Sequence, residues 1–205
     1  MFKDYSIYLF QERSIVLMSI IMGNDCMDKN KKELFMNILK GGHPNSLGKT
    51  VEVVETVLTN PERFEELFQC YSSDDEVVRF RTSNAMKRIC KERKELLIPH
   101  IDRILEELPE INQASAQWTL AQLSNMLDSD MAKSQFEKAK KLLKNNLVGS
   151  NDWIVLNLTM EVLAKWSKKD CKLLKWLTPY LKSLSRDERK SVSKRAQKYL
   201  RALNS

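Results

Sequence analysis

An all-α fold is what this sequence of 205 residues predicts, on three observations. Glycine and proline are scarce, at five each, whereas a many-stranded sandwich or barrel needs a turn every few residues. Apolar residues recur at spacings of three and four from about residue 30 onward, the period of an amphipathic helix. The chain is 42% hydrophobic and 30% charged, which is apolar enough to build a core and too apolar for a disordered chain.

The elements follow in order. Residues 1–29 read as an N-terminal leader, either a soluble helix or strand packing on the first repeat or a loosely ordered segment. Its apolar run at 14–22 (SIVLMSIIM) is about half of what a bilayer requires, so no membrane span is expected. Glu12 and Arg13 precede that run without the basic bias of a signal peptide. Residues 31–40 place Leu34, Phe35, Ile38 and Leu39 on one helical face, and the string GGHPNS at 41–46 breaks the helix. Residues 47–59 are rich in valine, yet Val53-Val54 spoils a strand's alternation, while Val51, Val54 and Leu58 fit one helical stripe. Asn60-Pro61 reads as an N-cap followed by proline at the first helical position. Phe64, Leu67, Phe68 and Tyr71 continue that helix until Ser73-Asp74-Asp75 supplies a break and a fresh cap.

Beyond this point the chain repeats. After Val78, apolar residues fall at Ala85, Met86 and Ile89. Val155 is followed at the same offsets by Val162, Leu163 and Trp166, and Val192 by Tyr199, Leu200 and Leu203. Ser115 gives a weaker copy in Gln122, Leu123 and Met126. The four anchors lie 37, 40 and 37 residues apart. Pro99 and Pro179 occupy similar settings, Leu-Ile-Pro-His-Ile and Leu-Thr-Pro-Tyr-Leu, in the helix before an anchor helix. Val78, Ala85, Ile89, Leu123, Val162, Leu163, Trp166 and Leu200 are the expected core.

This unit resembles the HEAT repeat, a pair of helices of about 40 residues. The family pattern has a proline in the first helix, Asp in the turn and Val-Arg early in the second. Asp74-Asp75 before Val78-Arg79, with Ala85 and Met86 after, is the best match. Arg79 aligns with Ala116, Leu156 and Ser193, so a regular Asp–Arg ladder is absent. The resemblance implies an α-α superhelix of stacked antiparallel helix pairs. It covers residues 61–205, and 30–60 loosely, within a single domain at 30–205. The pairs expected are 61–92, 94–127, 131–168 and 171–203. One helix pair cannot bury its apolar face alone, whereas a stack makes a continuous core.

Little in the sequence points to catalysis. No nucleophile–base pair is visible, and carboxylates such as those of EELPE at 106–110 fit a solvated helical face. Gly48-Lys49-Thr50 has the ending of a phosphate loop, but His43 stands where the loop's first glycine is required. His43 and His100 are the only histidines, which excludes a His-rich metal site. Cys26, Cys70, Cys90 and Cys171 contain no Cys-x-x-Cys unit and read as reduced thiols of a cytoplasmic protein. No catalytic, cofactor-binding or metal-binding residue is expected.

Charge is unevenly spread. Residues 1–130 hold 16 Lys+Arg and 21 Asp+Glu, whereas residues 131–205 hold 18 and 6. The basic third also carries Trp153, Trp166, Trp176, Tyr180 and Tyr199, and aromatics beside cations suit phosphates and bases. Two readings result. The first is a non-catalytic binding or scaffold module, which the HEAT resemblance implies would offer its second helices to a protein or peptide partner. The candidate contact residues on those helices are Arg81, Asn84 and Arg88, then Gln113 and Gln117, then Asn157 and Lys165. Lys190, Lys194 and Lys198 form a stripe on the last helix. The alternative is a nucleic-acid-binding solenoid using the basic third. It includes the alkylation-repair DNA glycosylases of HEAT-like type, which Asp152-Trp153 resembles.

Overall fold

The computed structural model describes residues 33–204, and over this range the chain is helical without a strand. The expected leader at 1–29 lies outside the described residues. Ten α-helices run in order: α1 (Phe35–Ile38), α2 (Thr50–Thr59), α3 (Phe64–Gln69), α4 (Glu76–Glu92), α5 (Ile101–Glu107), α6 (Ala114–Met126), α7 (Lys133–Gly149), α8 (Trp153–Ser167), α9 (Cys171–Leu184) and α10 (Lys190–Asn204). Short 3-10 turns flank α3 and α5, and proline stands first or second in three of them, at Pro61, Pro99 and Pro109. That position suits proline because its missing N–H has no helical partner to lose. Three aspartates start helices. Asp75 accepts from the N–H of Val77, Asp152 from those of Ile154 and Val155, and Asp170 from those of Lys172 and Leu173. Each satisfies donors that the first helical turn leaves unpaired.

Packing follows chain order. Helices α2, α4, α6, α8 and α10 form one row, each against the next. On the other side of the core, α5 packs on α7, and α7 and α9 both pack on α8. Val78, Ala85, Ile89, Leu123, Val162, Leu163 and Trp166 are all buried between these helices. Leu200 is half-buried rather than fully enclosed, because α10 has no later helix among the described residues to cover it.

The connection before α2 is organised by a charge. Arg81 had been expected on an exposed face, but it is only 1% exposed. Its guanidinium donates to the carbonyls of Leu39 (2.6 Å), Ser46 (3.1 Å), Lys40 (3.2 Å) and His43 (3.3 Å). The glycines that break the first helix serve this wrap. Gly48 has φ +49°, and a Cβ there would lie 2.7 Å from Arg81 Cζ. A side chain at 48 would therefore meet both strain and a clash. Arg81 thus fixes residues 39–48, and with them the start of α2.

Candidate ligand-binding cleft

Where α2, α4 and α6 lie side by side, their exposed faces enclose a cleft of about 550 Å3. Helix α2 lends Val51 and Glu55, and α6 lends Gln122 and Met126. The middle wall is α4, with Asn84, Lys87, Arg88 and Lys91, and Glu92 at its end. Positions 84, 87, 88 and 91 share one face because a helix returns every three to four residues. Val51 is 45% exposed, an apolar shelf open to solvent.

The electrostatics of the cleft centre on Lys87. Its ammonium lies 5.5 Å from the centroid of the Trp118 ring on α6, within cation–π range. Phe80 meets the same ring edge-on at 6.2 Å and holds it in place. Burial, followed by the charge of neighbouring Arg88, lowers the Lys87 pKa from 10.5 to about 8. Among the described residues, no carboxylate lies within ion-pair distance of Lys87, Arg88 or Lys91. A partly desolvated ammonium with a π face and no anion is an unfinished electrostatic arrangement.

The residues nominated from sequence fall in different settings. Asn84 and Arg88 line the cleft, and Asn84 Nδ2 donates to the Phe80 carbonyl at 3.0 Å. Gln117 is half-buried on α6 outside the cleft lining. Arg81 and Asn157 are enclosed, which corrects their expected exposure. Arg81 is caged by carbonyls, and Asn157, 5% exposed, lies in the interior of α8 with its Oδ1 unpaired among the described residues. Gln113 is engaged in packing: its Oε1 accepts from Arg79 Nε at 2.8 Å and its Nε2 donates to the Glu76 carbonyl at 3.0 Å. Lys165 is paired with Asp128 at 2.6 Å, whose carboxylate also accepts from Trp166 Nε1. Lys190, Lys194 and Lys198 stand exposed on α10. Asp152 is occupied as the cap of α8, while Trp153 beside it is 50% exposed.

Sequence reasoning missed Lys87, Trp118 and Val51. The repeat register did contain a signal, since Lys87 falls three residues after Asn84 on the nominated stripe. The partner that desolvates Lys87 comes from another helix, 31 residues later.

Other chemistry is sparse. Among the described residues no group of three or more His, Cys, Asp or Glu is placed to hold a metal ion. No described helix is long and apolar enough to cross a membrane. Burial raises the thiol pKa of Cys70 to about 12 and of Cys90 to about 11, so both are inert packing groups. Comparison with protein-family models, curated proteins and solved structures returns no match.

Proposed function

We propose that this chain is a non-catalytic binding module, a HEAT-like solenoid whose α2–α4–α6 face holds a segment of a partner protein or peptide. One observation carries the reading: the cleft on that face combines an open apolar shelf at Val51 with a cation row that lacks carboxylate partners among the described residues. Rows of stacked helices offer extended surfaces of this kind. The regular packing of α2, α4, α6, α8 and α10 supports the solenoid assignment, as does the recurrence of Val78, Val155 and Val192 at buried anchor positions.

The test is a peptide-display selection against the full chain, repeated with Asn84→Trp, which fills the cleft. Peptides retained by the native chain are expected to be released by the variant. Peptides indifferent to the substitution, or no selected peptides, would count against the reading. A second reading, nucleic acid on the basic third, is favoured by the exposed Lys190, Lys194 and Lys198, which have no ion-pair partner among the described residues. Its signature is duplex binding that falls steeply with salt.

A further inference from the structure

The binding reading above leaves open what chemistry the cleft selects, and the distribution of paired and unpaired charge along the α2–α10 row addresses this. From α6 onward, two of the cations near this face already have anions, while Lys190, Lys194 and Lys198 on α10 are exposed and have no ion-pair partner among the described residues. Lys165 on α8 holds Asp128, and Arg195 on α10 holds Glu161 at 2.9 Å. On α4, Lys87, Arg88 and Lys91 also have no such partner among the described residues, and Lys87, unlike the lysines of α10, is half-buried over an aromatic ring. Lys87 and Lys91 are four apart and so adjacent on the helix surface.

We infer that the cleft between α2, α4 and α6 binds an acidic peptide segment, its carboxylates on Lys87, Arg88 and Lys91 and an apolar side chain on the Val51–Met126 shelf. The inference rests on the binding-module reading and specifies its ligand. Lys87 is the anchor. Its side chain is half-buried with the ammonium over Trp118, so less rotamer freedom remains to be lost on binding than for an exposed lysine. A carboxylate arriving there supplies the anion that burial has left missing, and the lowered Lys87 pKa agrees with that unmet demand.

The walls argue for a peptide over a nucleic-acid backbone. A nucleic-acid backbone needs a continuous cation track, yet α6 carries no Lys or Arg and Lys165 on α8 is already paired with Asp128, so the cations of the cleft are not continuous with the exposed lysines of α10. Glu55 and Glu92 also line the cleft, and they disfavour an unbroken run of phosphates. Carboxylates spaced by apolar residues can meet the three cations and still use the Val51 shelf. Asn84 and Gln122 offer neutral hydrogen-bonding groups for the backbone of such a segment.

The experiment uses the full chain and three fluorescein-labelled synthetic peptides of equal length: alternating Glu and Leu, the same with Gln for Glu, and the same with Lys for Glu. Anisotropy gives affinity, and two-dimensional NMR of the labelled protein gives location. The Glu peptide is expected to bind at least about tenfold tighter than the Gln peptide, as a charged hydrogen bond is stronger than a neutral one. Its shifts should fall on α4 and α6. Lys87→Met and Lys91→Met keep the apolar stems and should each weaken it about tenfold, while the exposed control Lys141→Met leaves it unchanged. Retained NMR dispersion of each variant shows that folding is intact. If the Gln peptide binds the cleft as tightly as the Glu peptide, the acidic assignment falls and the binding-module reading stands. If no peptide shifts the cleft resonances, both fall. If an oligonucleotide shifts them and the Glu peptide does not, the ligand class is wrong.

Discussion

Lys140 on α7 sits between Glu137 and Asp170, at 2.7 and 2.8 Å, whereas Lys87 on α4 has an aromatic ring and no carboxylate among the described residues. The two lysines typify their regions. The basic run from α7 to α10 carries the chain's net charge, and several of its cations are matched while Lys190, Lys194 and Lys198 stay exposed to water. Lys138 pairs with Glu106, Lys165 with Asp128, Arg189 with Asp187 and Arg195 with Glu161. The α4 wall of the cleft carries fewer cations, but Lys87 there is withdrawn from water without a counter-ion. Burial pulls both lysines down, but at Lys140 the hydrogen bonds to Asp170 and Glu137 win and its pKa is raised. Net charge and unpaired charge withdrawn from water are therefore different guides to a site. The first points to the C-terminal third and the second to the cleft.

The sharpest way to break this comparison is to ask what holds each region together. If α7–α10 stands on its apolar core rather than its ion pairs, Leu163→Ala should cost about 2–5 kcal/mol, since Leu163 is fully enclosed. Urea unfolding monitored by circular dichroism measures this. An unchanged midpoint would mean that the repeat register is wrong.

The next effect is expected on the cleft side. Arg81→Met strands the carbonyls of Leu39, Lys40, His43 and Ser46, at a cost of about 2–3 kcal/mol as water replaces only part of what is lost. Hydrogen exchange should accelerate first in residues 39–48 and at the start of α2. Uniform acceleration would deny Arg81 its local role.

Opposite pH signs separate the regions further. The Arg189 guanidinium holds Asp187 down to about 2, from 3.8. The unfolded chain therefore binds this proton first, and the C-terminal region should lose stability as pH falls from about 4 to 2. Lys87 runs the other way. Its folded pKa of about 8 lies below 10.5, so its destabilising contribution is complete below about pH 8 and fades between 8 and 10.5. Equilibrium unfolding of Lys87→Met against the native chain should show a gap in favour of Met at pH 7 that narrows at alkaline pH. Asp187→Asn should remove part of the acid sensitivity.

The smallest effect is expected where charge density is highest. Changing Lys190, Lys194 and Lys198 together to Glu should move stability by less than about 1 kcal/mol, because exposed charges contribute little. A large loss would show that the α10 stripe takes part in packing.

Helical periodicity made much of this architecture legible in the sequence. The cap expected within Ser73-Asp74-Asp75 falls on Asp75, and Val78, Leu163 and Trp166 lie in the core where the periodicity places them. What stayed hidden has a common cause. Arg81 falls on a stripe with Asn84 and Arg88, and nothing local shows that a loop some 35 to 42 residues earlier wraps it in carbonyls. Asn157 likewise looks polar and surface-bound until the packing around α8 encloses it. Lys87 reads as one more surface lysine until α6 brings Trp118 beneath it. Burial of a polar residue by distant chain is not encoded in its own neighbourhood.

The charge state of Lys87 tests the account most directly. NMR titration of the 13C-labelled lysine side chains, with the Lys87 signal assigned by its absence in Lys87→Met, reads it without reference to any ligand. An apparent pKa of about 8 is expected for Lys87. A midpoint near the ordinary lysine value of about 10.4 would mean that the ammonium is fully hydrated, and the cleft would lose the unmet charge on which its assignment rests.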